Sequence, residues 1–383
     1  MAKTGIEWTD KTWNPLAGCS IVSPGCANCY AMAMASRLEA MSDTYEANHG
    51  GDPGPLKHYR GLTEYVKGKP VWTGTVKHAP ESKLLEPLRW KKPARVFVNS
   101  MSDLFHEAVA DETIDRIFAV MALSPHLTFQ ILTKRAARMR EYCNGAKSKI
   151  PFLGRMPLER VHIQAAGHME GDGSFMDELK RVANPYSLYL DCPWPLPNVW
   201  LGVTAERQQE ASARIPDLLA TPAAVRFVSI EPMLGEIDLT DIPWPRPVSE
   251  RFAEGDDLSD SFDALRYQTE GHGRLDWVIC GGESGPNARP MHPDWARSLR
   301  DQCAAAGVPF FFKQWGEWAQ HKMRPGVDPG DDMRAGRVVQ IRAHGEPDGH
   351  FRKGDCHVER VGKARAGRLL DGCAHNAFPE ARA

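Results

Sequence analysis

Three thiols fall within one short stretch: Cys19, Cys26 and Cys29, in Gly18-Cys19-Ser20-Ile21-Val22-Ser23-Pro24-Gly25-Cys26-Ala27-Asn28-Cys29-Tyr30, spaced C-x6-C-x2-C. Pro24 and Gly25 supply a turn that folds the loop back on itself. A closed structural zinc site takes four protein ligands, and no fourth Cys or His lies close by; the nearest histidines are His49 and His58. Three thiolates are what a 4Fe–4S cluster with one open iron needs, although most simple clusters use four. The open iron then binds a small molecule, which marks a catalytic rather than a structural site. Two alternatives stand beside this one: zinc completed by a distant ligand, and a chance gathering of buried thiols. Cys356-His357 and Cys373-Ala374-His375 have no metal spacing of note and read as surface residues. Cys143, Cys192, Cys280 and Cys303 are isolated and read as small buried hydrophobes.

A second set of chemically capable residues follows short apolar runs. Val96-Phe97-Val98 leads to Ser100 and Asp103, and Phe129-Gln130-Ile131-Leu132 leads to Lys134 and Arg135. The run 199–203 leads to Glu206, 225–230 to Glu231, 277–280 to Glu283 and 309–312 to Lys313. A lone polar residue after a strand is usually just loop. Six charged ones in succession point to one shared cavity, with ion pairing across its mouth as the competing explanation. Gly281-Gly282-Glu283-Ser284-Gly285 permits close backbone approach to a ligand but lacks the Gly-Lys-Ser/Thr ending of a phosphate loop.

The elements that position these residues follow from the pattern. The six runs are β-branched or aromatic and bounded by turn residues, so they predict buried strands. Asp111 to Leu123 carries Ile114, Ile117, Phe118 and Met121 at helical spacing, with Asp111 as the expected N-cap. His292 to Ala306 places Trp295, Leu299 and Cys303 on one face and stops at Gly307. A helix-like stretch from Ala31 to Met41 follows the cysteines. Alternating strand and helix predicts a parallel sheet with crossover helices and a site beyond the strands' C-terminal ends. Residues 144–197 and 241–275 look like insertions, and 321–383 a short C-terminal extension that follows an α/β body over 1–320. Between Arg352 and Arg368 the extension holds six Lys or Arg against two acids, a candidate phosphate contact or a solvated face.

The chain of 383 residues is 42% hydrophobic and 25% charged, which allows a sizeable core. A net charge of −2 and a pI of about 6.7 neither suggest nor exclude nucleic acid. No apolar leader opens the chain, and no apolar run approaches the roughly 20 residues of a membrane span. A cytoplasmic protein without membrane attachment is expected. Trp8, Trp13, Trp72 and Trp315 could stack on a base, though Trp more often belongs to the core.

Several blocks together resemble a known family. Ile6-Glu7-Trp8-Thr9-Asp10 with Trp13-Asn14-Pro15, SPGCANCYA (23–31), NSMSDLFHE (99–107), LTKR (132–135), RFVSIEPMLG (226–235), CGGESGPNARP (280–290), FFFKQWGEW (310–318) and VGKARAGRLLDG (361–372) carry the likeness. They are similar to a phage and prophage family named for gene products thirty-seven and sixty-eight, also called a three-Cys-motif family. That family resembles a divergent branch of the radical S-adenosylmethionine superfamily, with spore photoproduct lyase among its relatives.

The resemblance implies a parallel, partial (β/α)6 TIM-like barrel, whose size suits the six runs plus one strand leading into the cysteine loop. It implies a 4Fe–4S cluster on Cys19, Cys26 and Cys29 whose open iron holds S-adenosylmethionine, and a reductant such as flavodoxin or ferredoxin. By the same likeness Ser100 and Asp103 are candidates for the methionine amino group. Lys134, Arg135 and Lys313 are candidates for a carboxylate or phosphate, and Glu206, Glu231 and Glu283 for ribose hydroxyls or the amino group. The kinship suggests DNA or a nucleoside as substrate. The superfamily pattern is C-x3-C-x2-C with an aromatic before the last Cys; here the first gap is six and Asn28 takes that position. The alternatives are a non-catalytic zinc or iron–sulfur phage protein that binds nucleic acid or a partner, and an electron carrier or sensor.

Overall fold

The computed structural model describes residues 4–145, 193–244, 261–269, 272–321, 338–342 and 354–380. All six apolar runs are strands, and a short seventh precedes them. In chain order they are β1 (Lys11–Trp13), β2 (Ala94–Val98), β3 (Leu127–Thr133), β4 (Val199–Thr204), β5 (Val225–Ile230), β6 (Trp277–Gly281) and β7 (Phe310–Gln314). They form one seven-stranded sheet in which spatial order equals chain order. Every neighbouring pair is parallel. Such a sheet is covered on both faces, which is why β4 and β6 are buried at every position and read as unbroken apolar runs.

The sheet is curled. Trp8 lies 4.9 Å from the Phe97 ring of β2 and 6.4 Å from the Trp277 ring of β6, so strands four places apart face each other across one indole. Phe227, Phe311 and Phe378 complete this inner aromatic cluster. The outer face packs against α2 (Asp111–Ala122), α3 (Ala136–Cys143), α4 (Gln208–Leu219) and α5 (Pro293–Ala306), whereas α1 (Tyr30–Asn48) packs in a separate cluster with Tyr59, Leu62 and Trp72. In α2 the four residues at helical spacing are all buried. Asp111 is the first helical residue rather than the cap; Ala110 is at the cap position, and the Asp111 carboxylate accepts from Arg138 at 2.6 Å instead. In α5, Gly307 ends the helix at φ 66°, in the left-handed region that favours glycine.

Most of the first insertion, residues 146–192 with Cys192, lies outside the described residues. The second is partly described: Ile242–Pro243 pairs with Ser261–Phe262, and Trp244, Phe262 and Tyr267 stack together there. Within the C-terminal region, β8 (Trp318–Gln320), β9 (Val338–Ile341) and β10 (Cys356–Arg360) form a three-stranded antiparallel sheet. The chain then returns to the curled sheet. The Phe312 N–H donates to the His375 carbonyl at 2.9 Å, and the Trp277 indole donates to the Ala377 carbonyl at 2.9 Å. Phe378 stacks on Trp277 at 5.0 Å. Segments near both chain ends thus fill the interior. No helix among the described residues is long and apolar enough to cross a membrane.

Candidate functional site

Beyond the C-terminal ends of the strands lies a cavity of about 310 Å³. Cys19, Cys26 and Cys29 line it together with Ser100, Asp103, Lys134, Glu231, Glu283 and Lys313, drawn from both halves of the chain. Trp8, Trp72, Phe97 and Leu132 give it apolar walls. The exception is Glu206, which is fully buried behind the cysteine loop and does not face the cavity.

The loop between β1 and α1 is tied down beside each cysteine. Next to Cys19, Ser20 Oγ accepts from Arg135 Nη2 at 2.6 Å and contacts His106 Nε2 at 3.0 Å. Ahead of Cys26, Ser23 Oγ donates to Glu206 Oε1 at 2.9 Å. Before Cys29, Asn28 Nδ2 donates to Glu283 Oε2 at 3.1 Å and to the Asn287 carbonyl at 2.9 Å. Asn28 therefore acts as an anchor at the position where the resemblance expects an aromatic. Gly25 completes the seat: a Cβ there would meet Glu206 Oε1 at 2.3 Å, so only glycine lets the loop rest on that carboxylate. The turn Pro24–Cys26 is a single 3-10 turn.

These anchors account for much of the charge at the strand ends. Glu206 receives Lys134 Nζ and, at 3.1 Å, Arg214 Nη1; both cations hold its carboxyl below the ordinary range against the opposing effect of burial. Glu283 is gripped by Arg289, whose Nη2 and Nε donate at 2.6 and 2.9 Å. Asp103 accepts four bonds, from Phe105 N and Thr133 Oγ1 on one oxygen and Lys134 N and Arg135 Nη1 on the other. Asp103, Glu206, Glu283 and Arg135 thus spend their hydrogen-bonding capacity inside the protein, holding the thiols in place. Gly281 and Gly282 are closely approached by the chain itself. A Cβ would meet Glu231 Oε1 at 2.5 Å at the first and the Trp315 carbonyl at 2.0 Å at the second.

What remains open to the cavity is smaller. Glu231 and Lys313 form a half-buried pair at 3.1 Å, and the Trp8 indole reaches Glu231 at 3.4 Å. Asn99 Nδ2 and Gln314 Oε1 are buried without a hydrogen-bond partner, and both residues line the cavity. Asn99 holds a left-handed backbone at φ 60°, which asparagine tolerates better than most residues. Of the four tryptophans, Trp8, Trp13 and Trp72 are buried, and two of these also wall the cavity. Three of the four described basic residues in the C-terminal stretch are engaged internally. Arg360 donates to the Gly285 and Pro286 carbonyls, Lys363 pairs with Glu7, and Arg368 bonds Asn376.

The donor set fits an iron–sulfur cluster. Burial pushes the Cys19 thiol up to about 12 and raises Cys29 as well; the Asp103 charge adds to the Cys19 shift and Arg135 opposes it. Such thiols ionise when a multiply charged metal centre replaces their protons. Among the described residues no group of three or more His, Cys, Asp or Glu converges as a single-ion site. A cubane has a different demand, since each thiolate takes a different iron. No carboxylate or imidazole comes from the loop itself.

Arg214, Arg289, Asn99, Gln314 and His106 escaped the sequence reading. Arg214 is eight residues past Glu206 in α4, and Arg289 is six past Glu283, so each pair closes within one loop or helix turn set. An unusually placed arginine on an apolar helix face was the only available signal for the first.

A family model described as a protein of unknown function, DUF5131, matches residues 3–379, almost the whole chain. No curated protein and no solved structure matches it. The chain belongs to that DUF5131 family.

Proposed function

We propose that this member of the DUF5131 family is a radical S-adenosylmethionine enzyme carrying a 4Fe–4S cluster on Cys19, Cys26 and Cys29. The observation that carries the reading is the set of three thiols at the mouth of a curled parallel sheet, each tied down by a different strand-end residue. When bound, the cluster supplies an electron that splits S-adenosylmethionine into methionine and a 5′-deoxyadenosyl radical.

The chain's own residues bind, orient and shield. Cys19, Cys26 and Cys29 would be the three protein ligands of the cluster. The turn 99–102 faces the cavity beside them, and the unpartnered Asn99 Nδ2 offers a donor to a carboxylate or ribose oxygen. Glu231, just past the end of β5, and Lys313 and Gln314, on β7, also face the cavity and suit the substrate. The wall of Trp8, Phe97 and Leu132 keeps water from the reacting atoms. A fold of the partial (β/α)6 type is part of this reading, with the seventh parallel strand as an addition to it. A reductant such as flavodoxin or ferredoxin supplies the electron, and DNA or a nucleoside is the substrate class.

Anaerobic reconstitution followed by EPR with and without S-adenosylmethionine tests the proposal. A reduced-cluster signal that changes on adding S-adenosylmethionine, with methionine and 5′-deoxyadenosine formed, is the expected outcome. Stoichiometric zinc with no reconstitutable cluster would instead favour a binding protein.

Cluster assembly should also depend on pH. Burial pushes the Cys19 thiol up to about 12, so assembly at neutral pH displaces its proton. Below that value ionisation of Cys19 adds about one decade of apparent affinity per pH unit. Iron uptake measured against a competing chelator between pH 7 and 9 should therefore tighten steeply. A flat profile would mean that the Cys19 thiol is already ionised and that the burial argument fails.

A further inference from the structure

Cys19 has an arginine donor within reach of its sulfur. Arg135 Nη1 lies 3.8 Å from Cys19 Sγ, within the range of an N–H···S hydrogen bond. The contact is not a flexible side chain brushing past. Arg135 is 7% exposed and sits where β3 meets α3, with its backbone N–H bonded to Thr133 Oγ1 at 2.9 Å. Its guanidinium is held from three further directions: Nη1 to Asp103 Oδ2 at 3.1 Å, Nε to Glu107 at 3.0 Å, and Nη2 to Ser20 Oγ at 2.6 Å. Ser20 is itself fixed by His106, whose Nδ1 accepts from the Ala108 N–H at 3.1 Å and so leaves Nε2 to donate. Cys26 Sγ instead meets the neutral Ser23 hydroxyl at 3.8 Å, and the cation acting on Cys29 is Lys134.

We propose that Arg135 sets the reduction potential of the cluster by donating Nη1–H to Cys19 Sγ, and that Asp103, Glu107 and Ser20 position it for that bond. This rests on the cluster reading given above. A hydrogen bond to a ligating sulfur withdraws electron density and favours the reduced, more negative cluster, so it raises the potential. A guanidinium does this best among cations, because it stays charged at every working pH and its planar fork can serve sulfur and carboxylates at once. The two carboxylates cancel much of the long-range effect of the cation. What they leave is a directed N–H at one sulfur. Arg135 is therefore a positioning and tuning residue, distinct in role from the three ligands.

The test is a potentiometric titration of the reconstituted wild-type protein and of Arg135→Gln and Arg135→Lys, followed by EPR in the absence of S-adenosylmethionine. Both variants should take up a cluster and titrate at a lower potential, Arg135→Gln by more. Arg135→Lys keeps a cation beside Asp103, so it decides the matter if Arg135→Gln fails to fold. Unchanged or raised potentials in a variant that holds a cluster overturn the proposal. A wild-type protein that takes up no cluster overturns the underlying reading instead, and the two failures are told apart in the first sample.

Discussion

A Cys26→Ala protein should fold normally and take up no 4Fe–4S cluster. Cys26 is the most buried of the three thiols, at 7% exposure, and closes the 3-10 turn Pro24–Cys26. Its N–H already donates to the Ser23 carbonyl at 2.9 Å, so the turn keeps its backbone bond when the sulfur is lost. Removing one small side chain costs on the order of 1 kcal/mol, little for a domain of this size. Among the described residues no other thiol lines the cavity: Cys280 and Cys303 are fully buried in the sheet and in α5, Cys143 is buried at the end of α3, and Cys356 and Cys373 lie elsewhere in the C-terminal region. Two thiolates do not retain a cubane that three hold with one iron already open. Iron and sulfide content after reconstitution, read beside the far-ultraviolet circular dichroism, checks this. A variant that keeps the full brown chromophore would show that the loop is not the ligand set.

The second large effect is on stability. Glu206→Leu should cost about 3–5 kcal/mol, because it leaves two cations without their shared carboxylate in a buried place. Glu206 is fully buried, while the side chains of Lys134 and Arg214 are only 18% and 10% exposed. Each cation retains a bond to Thr204, at 2.9 Å for Lys134 Nζ and 3.1 Å for Arg214, but neither retains a counter-charge. The same change frees Ser23 and removes the surface on which Gly25 rests, so cluster retention should fall along with stability. Urea denaturation of the metal-free protein isolates the first effect from the second. A loss below about 1 kcal/mol would mean that water or another acid reaches the two cations.

Much of the fold was legible from local pattern. Six strands were visible because a parallel strand buried on both faces leaves an uninterrupted run such as Val199–Val203, and α5 because its apolar spacing ends at a glycine. The short β1 was implied only by the loop it enters, since three residues carry no periodicity. Cap identity at α2 was misassigned because Asp111 is equally suited to the first turn, where its charge meets the helix dipole and Arg138. The cavity was legible as a ring of polar residues following strands. Their duties were not. Asp103, Glu206 and Glu283 looked like ligand contacts, yet each is saturated by neighbours that sequence spacing does not reveal, up to 255 residues away in the case of Asn28 and Glu283. Hydrogen-bonding capacity is a property of three-dimensional company, whereas residue type only sets its upper limit.

The way both ends enter the curled sheet has a consequence for how the protein comes into being. Trp8 leaves the ribosome before the seven strands of the sheet, whereas Phe378 follows the last of them, and the two flank the same Trp277. Translation therefore delivers the whole sheet with its aromatic interior still unsealed. During that interval the indole of Trp277 lacks the Ala377 carbonyl, and β7 presents a bare edge at Phe310–Phe312. An unpaired parallel edge beside exposed aromatic rings is the kind of surface on which nascent chains adhere to one another. Docking of the segment around His375–Phe378 then acts as the sealing step, and the yield of native protein hinges on how quickly that strap finds its seat.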